Sequence, residues 1–405
     1  MDGTPGVHRL NDDAQRTRGR YRGLRYAGRT VLALISIAAL AGQGFLWSTL
    51  REVRTVVPTT DVLGGPLQQG APPVDDGAQD ILVVGSDTRT DTLGNPLPLS
   101  VLKELRTEAN AGVNTDTIIM LRIPHNGARP SVVSVPRDTY VPIPGYREDK
   151  INAALGATKS RASRHLEAEG GHDPVAIERE SDRQGRSTLV QTVQNLTGVR
   201  VDHYAEVNLY GFYLLTKAVG GVEVCLKQST KDPDSGANFR AGRQIVSGGA
   251  ALSYVRQREN LPRGDLDRIV RQQTFLSSAM RKLLSTGTLT DPGKLTGLME
   301  VVRKAVVVDP GMDVLELLRH FGTIAAGAVE FVTIPVVGSA RNERGQSVLT
   351  VDSARVKEVV GGLVAAQSAL PEPGFTGPRK LRMDGAADPL VRVRASRQDD
   401  VPCVY

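Results

Sequence analysis

Tryptophan, cysteine and histidine are all scarce in this chain, and each scarcity removes a class of chemistry. Of 405 residues, one is tryptophan, two are cysteine and six are histidine. His8, His125, His165, His172, His203 and His320 are scattered, so a histidine metal site or a Ser–His–Asp triad has little support. His203 follows Asp202 just ahead of a strand pattern, where a structural role outweighs a catalytic one. No second Cys or His lies near Cys225 or Cys403, which excludes zinc spacing. The chain holds no Gly-x-x-x-x-Gly-Lys-Ser/Thr loop and no Gly-x-Ser-x-Gly elbow. Aromatics make up 4% and none interleave the arginine-rich segments, which argues against single-stranded nucleic acid as a partner. There is no internal repeat.

What is present begins with charge. The formal net charge is +6, and residues 1–29 carry seven arginines against three aspartates, a net of +4. The remaining 376 residues are therefore close to neutral. The basic tail precedes residues 30–50 (TVLALISIAALAGQGFLWSTL), an uncharged run of 21 residues closed by Arg51. At about 1.5 Å per residue that run spans roughly 30 Å, the thickness of the bilayer hydrocarbon. Trp47 suits an interfacial anchor, and a signal peptide fits less well because the run is long and lacks a small-x-small cleavage site. The positive-inside rule then expects the tail in the cytoplasm and everything after residue 51 outside. In an oxidising compartment Cys225 and Cys403 are expected to form a bridge, the alternative being two unrelated buried thiols.

Residues 51–79 are rich in Pro, Gly and Thr and read as a linker. The folded part is expected to open with a buried strand at 80–85 (DILVVG), with further strands at 117–123 and 131–135. Helical patterns cover 157–169, 175–184 and 187–196; strands recur at 203–207 and 222–226 around a helix at 210–219. A helix at 266–284 follows. The last third alternates helices (297–306, 312–321, 353–363) with strands (330–335, 347–350). This alternation predicts an α/β domain over 80–365, followed by a C-terminal extension, 366–405.

Four clusters carry chemistry. Asp87 follows the first strand in Gly-Ser-Asp-Thr-Arg89, and Asp116 precedes the next in Asn114-Thr-Asp116-Thr. If those strands run antiparallel, the two carboxylates meet at one sheet edge and could hold Mg²⁺; taken alone, each could equally cap a turn. Arg137 and Asp138 follow the third strand, with Lys150 shortly after, as either an ion-pair network or a phosphate grip. Arg256 and Arg258, read as extended, would project to one side. Arg268 and Gln272 share a helix face beside a stripe of Leu266, Ile269, Gln273, Leu276 and Met280. That last cluster is either a solvated basic face or a cradle for a multiply charged anion.

Together these segments resemble the LytR-CpsA-Psr family. The matching stretches are VGSDTR (84–89), NTDTIIMLRI (114–123), VSVPRDTYVPIPGY (133–146) with KINAA (150–154), VDHYAEVNLYGF (201–212), AVGGVEVCL (218–226), and GGAALSYVRQR (248–258) with RGDLDRIVRQQ (263–273). The resemblance implies a three-layer α/β/α sandwich with a central mixed β-sheet, here preceded by one transmembrane helix. It also implies an apolar tunnel for a polyprenyl tail. The implied activity is Mg²⁺-dependent (Mn²⁺ in its place) transfer of a glycopolymer from a polyprenyl-pyrophosphate carrier to peptidoglycan, at the cell membrane. By motif, Asp87 and Asp116 would bind metal. Arg89, Arg137, Arg256, Arg258, Arg268 and Gln272 would hold the pyrophosphate, with Arg137, Arg256 and Arg258 as the catalytic arginines. Asp138 and Lys150 would keep that arginine network in place. One departure is Glu259, where many members have histidine after the second arginine. The competing readings are a polyprenyl-pyrophosphate carrier or pyrophosphatase that never transfers, and a membrane-anchored transcriptional attenuator.

Overall fold

The computed structural model describes residues 57–64, 70–92, 94–107, 113–171, 173–285, 291–313, 329–368, 392–394 and 401–405. The basic tail, the apolar run at 30–50, most of the expected helix at 312–321 and most of the C-terminal extension lie outside them. Among the described residues no helix is long and apolar enough to cross a membrane.

The elements run β1 (Ala78–Ser86), α1 (Leu99–Glu104), β2 (Thr115–Pro124), β3 (Ser131–Val135), β4 (Tyr140–Pro142), β5 (Glu148–Lys150), α2 (Ala153–Glu169) and α3 (Pro174–Thr197). Then come β6 (His203–Asn208), α4 (Leu209–Ala218), β7 (Val222–Leu226), β8 (Thr230–Asp232), β9 (Ala237–Phe239), β10 (Gly242–Val246), α5 (Gly248–Arg256) and α6 (Asp265–Ser285). The chain continues through α7 (Pro292–Ala305), β11 (Val306–Val308), β12 (Glu330–Thr333), β13 (Gly338–Arg341), β14 (Ser347–Thr350), α8 (Ser353–Ser368), β15 (Arg392–Arg394) and β16 (Cys403–Val404).

Among the described residues, seven strands form the central sheet in the order β11-β6-β1-β2-β3-β12-β15. β1 pairs antiparallel with β2 and parallel with β6, so the sheet is mixed. Because alternate side chains leave opposite faces of a strand, each central strand serves two cores. Leu82, Val84, Ile118, Met120 and Val133 pack against α2, α3 and α8, where Leu155, Val193 and Val360 are buried. Ile81, Ile119, Leu121 and Val132 face the other way, toward Leu276 and Met280 of α6. Helices thus cover both faces.

The structure corrects three readings of the sequence. The two expected helices at 175–184 and 187–196 are one helix, α3, unbroken at Gly185. Gly185 packs so closely that a Cβ there would lie 2.6 Å from the Leu155 carbonyl, so the glycine serves contact between α2 and α3 and not a break. Gly156 of α2 plays the same part against the strand side, where a Cβ would fall 1.8 Å from the carbonyl oxygen of Val113. The stretch 57–64, assigned to the linker by composition, lies on the folded body. Thr60 N–H donates to the Val308 carbonyl at 2.8 Å, and Val62 is buried in the core. Third, α5 extends to Arg256, so the arginine segment is not an extended strand.

Cys225 of β7 and Cys403 of β16 are joined by a disulfide, with Cα atoms 4.3 Å apart. Of the two readings open from sequence, the bridge is the one found.

Candidate functional site

Three strand ends converge on one edge of the sheet. Asp87 leaves β1 as β2 arrives: its N–H donates to the Asn114 carbonyl at 2.9 Å, and its Oδ1 accepts from Asn114 N–H at 2.5 Å. Two residues on, Asp116 lies at the start of β2, so antiparallel pairing brings the two carboxylates to one edge. Arg137 enters from the end of β3 and donates through Nη1 to Asp116 Oδ1 at 2.5 Å. Its Nε stands 3.5 Å from Asp265 and 3.9 Å from Asp138. Lys150 Nζ meets Asp138 at 2.8 Å. From the helical side, Arg268 reaches Asp265 at 2.6 Å, and Arg89 donates to the Asp87 carbonyl at 3.1 Å.

Burial and charge pull these groups in opposite directions. Burial raises the carboxyl of Asp87 above the usual range, opposed mainly by the Asn114 N–H. Burial also acts on Asp116, but Arg137, Arg268 and Arg256 together outweigh it and hold that carboxyl low. Asp265 is raised by burial in spite of Arg268 and Arg137. Arg256 and Arg268 are both lowered by burial. Among the described residues, Arg256 Nη1 and Arg268 Nε are buried with no hydrogen-bond partner, while the Asp265 carboxylate is held by its ion pair with Arg268. An orphaned buried donor costs about 1–3 kcal/mol, and both of these arginines line the same cavity.

The residues named from sequence do not all gather here. Asp87, Asp116, Arg89, Arg137, Asp138, Lys150, Arg256 and Arg268 form the cluster. Gln272 lines the same cavity, but its side-chain N–H group donates to the Val255 carbonyl at 3.2 Å. Arg258 stands apart: more than half exposed, it meets Glu259 at 3.6 Å. The helix that ends at Arg256 turns the chain at Gln257, so Arg256 and Arg258 do not project side by side. Asp265 was not singled out from sequence, although its place beside Gly264 at the start of α6 is a recognisable helix-opening signal.

Beneath the charges lies a cavity of about 340 Å³ between the sheet and helices α4 to α7. Asp116, Arg256, Arg268 and Gln272 line it beside the strand ends, and Leu121 and Val132 line it further along the sheet. Phe212 and Phe275 close it from the helices. An apolar slot running back from a cationic cluster suits a molecule with an anionic head and a hydrocarbon tail.

Residues 60–363 match the LytR_cpsA_psr family profile. The chain belongs to that family. Among its LytR_cpsA_psr relatives, Cell wall biosynthesis protein LcpA of Corynebacterium glutamicum is 43% identical over 349 residues, 85% of this chain and 67% of that protein. The polyisoprenyl-teichoic acid–peptidoglycan teichoic acid transferase TagU of Oceanobacillus iheyensis is 32% identical over 256 residues, 63% of this chain and 65% of that protein. The LytR-Csp2A-Psr enzyme from Actinomyces oris superposes with a TM-score of 0.51 at 16% identity, covering 76% of this chain and 95% of that one. At that identity the superposition speaks for the fold alone, and the mixed sheet found here is the one those structures share.

Proposed function

We propose that the protein transfers a glycopolymer from a polyprenyl-pyrophosphate carrier to peptidoglycan, forming a phosphodiester. The observation that carries this reading is the apolar cavity ending at two buried arginines with unpartnered N–H groups. A polyprenyl chain would fill the cavity, and the pyrophosphate would accept from Arg256 and Arg268. The transferase name borne by the Oceanobacillus relative agrees.

In this scheme an acceptor hydroxyl attacks the sugar-proximal phosphorus. A P–O bond forms to the acceptor, the P–O bond to the bridging oxygen breaks, and polyprenyl phosphate leaves with the electron pair. The acceptor's proton passes to solvent or to the leaving phosphate. Arg137, Arg256 and Arg268 would neutralise charge on the phosphoryl oxygens in a largely buried site, where fixed donors act most strongly.

Asp87 and Asp116 fit a divalent cation in one specific way. Mg²⁺ uses one or two carboxylates together with substrate phosphates and water, and among the described residues no larger acidic or histidine cluster could cage a metal. Bound there, Mg²⁺ or Mn²⁺ would supply charge neutralisation at the pyrophosphate. The disulfide suits an oxidising compartment. That agrees with a catalytic body outside the cell, tethered by the apolar run at 30–50 with the basic tail in the cytoplasm.

The test is to incubate the full chain with a polyprenyl-pyrophosphoryl sugar, peptidoglycan fragments and Mg²⁺, and to follow product by mass spectrometry. A phosphodiester-linked product that disappears with EDTA and with Asp87→Ala supports transfer. Bound lipid with only phosphate released, across a wide panel of acceptors, would replace it with hydrolysis.

A further inference from the structure

Arg271 is buried to 1% exposure on α6, one turn beyond Arg268 and next to Gln272, yet it is not among the residues lining the cavity. Its Nη1 donates to the side-chain carbonyl of Gln257 at 2.7 Å, and its Nε donates to the main-chain oxygen of Tyr405. The guanidinium also stands 5.1 Å from the centroid of the Tyr254 ring. Burying an arginine is costly unless its donors are satisfied; burial lowers its proton affinity, opposed by Tyr254, Asp267 and Asp232. Its contacts therefore invite a functional explanation.

Gln257 is the residue that ends α5, immediately after Arg256, and it is fully buried. Its side-chain N–H group donates to Thr230 Oγ1 and to the Glu259 carbonyl, the latter at 3.1 Å. On the other side of Arg256, Gln272 holds the Val255 carbonyl. Two neighbouring residues of α6 thus grip the residues before and after Arg256 and leave its own Nη1 without a partner. The far end of the chain of contacts is fixed as well. β16 pairs with β7, the disulfide ties Cys403 to Cys225, Lys227 N–H donates to the Val404 carbonyl at 2.9 Å, and Lys227 Nζ lies 4.3 Å from the Tyr405 ring centroid.

We infer that Arg271 is a positioning residue for Arg256, held in register by the disulfide-tethered segment 403–405, so that reduction of Cys225–Cys403 weakens the grip on pyrophosphate. This rests on the reading that Arg256 receives the pyrophosphate. Without the Tyr405 oxygen, Arg271 loses one of two acceptors and Gln257 loses its fixed donor. The turn that aims Arg256 would then be free to shift. A misaimed donor loses much of its worth, because pre-organisation is what makes it effective.

The experiment measures binding of geranylgeranyl pyrophosphate to the full chain by calorimetry, with geranylgeraniol as the ligand lacking the head group. Four states are compared: wild type and Arg271→Lys, each oxidised and after dithiothreitol with thiols counted. The expected result is about tenfold weaker pyrophosphate binding in Arg271→Lys and in reduced wild type, with geranylgeraniol affinity unchanged. Reduction of Arg271→Lys should add nothing further, since both changes act on one path. Unchanged pyrophosphate affinity, equal losses for both ligands, or additive losses would each overturn the inference. Failure of the transferase reading is separate: it appears as bound lipid with no product, and leaves this comparison intact.

Discussion

Asp116 and Arg137, brought from the start of one strand and the end of its antiparallel neighbour, meet at 2.5 Å inside a cluster where four carboxylates face five cations. The pair comes from β2 and β3, and its geometry follows from their register, in which Ile118 lies opposite Val135. Removing Arg137 should therefore affect both the substrate and Asp116. Arg137→Ala is expected to reduce transfer on the order of 10³-fold. Arg137→Lys should recover only part of this, because lysine offers a point charge where a planar fork is used. Steady-state transfer rates with circular dichroism as a folding control decide the matter; near-normal turnover in Arg137→Ala would remove it from the mechanism.

The two arginines flanking Gln257 should separate cleanly. Arg256→Ala is expected to cost on the order of 10²–10³ in rate, while Arg258→Ala, at an exposed position paired with Glu259, should change it by no more than about threefold. Equal losses in parallel transfer assays would show that Arg258 reaches the substrate from outside the cluster.

Filling the cavity tests the proposed lipid site without touching a charge. Leu276→Trp should weaken binding of a polyprenyl pyrophosphate by at least about tenfold, while affinity for inorganic pyrophosphate stays the same. A parallel drop in both would place the tail elsewhere.

Asp265 makes a pH prediction whose sign can be worked out. Its folded-state carboxyl is raised by burial above its unfolded value, so the native state holds the proton more tightly than the unfolded chain. This contribution to stability is greatest at low pH and is lost as pH rises from the unfolded value, about 4, through the raised one. Asp265→Asn should flatten the dependence of unfolding free energy on pH over that window. Urea titrations at several pH values would show it, and an unchanged slope would assign the effect to another group.

At the opposite end of β1, Asp80 pairs with the fully buried Arg122 at 2.9 Å. Asp80→Ala leaves Arg122 with Asp76 alone at 2.8 Å and should destabilise the fold by about 3 kcal/mol. Chemical denaturation measures this directly, and a change below about 1 kcal/mol would mean that Asp76 compensates.

The sheet was legible in the sequence because its central strands are continuous apolar runs, and the meeting of Asp87 with Asp116 followed once antiparallel pairing was assumed. Composition misled at 57–64, where Pro and Thr signal a linker while Val62 and the Thr60–Val308 hydrogen bond seat the segment on the core. Gly185 reads locally as a helix break, and only its contact with Leu155 shows otherwise. The side-by-side reading of Arg256 and Arg258 failed because a two-residue spacing cannot tell a strand from the last turn of a helix. Asp265, Gln257 and Arg271 lie within the arginine-rich segments but carried no role in the sequence reading, because their contacts are with residues it does not place beside them.

Gly156 links the two sides of the molecule mechanically. Val113, whose carbonyl oxygen leaves no room for a Cβ at 156, lies just ahead of Asn114 and Asp116. Any side chain there would press on the strand that carries Asp116. The seating of α2 therefore acts as a gauge for the depth of the charged cluster. Gly156→Ala, on a helix that contributes no charge to the site, should alter catalysis as surely as a change among the arginines.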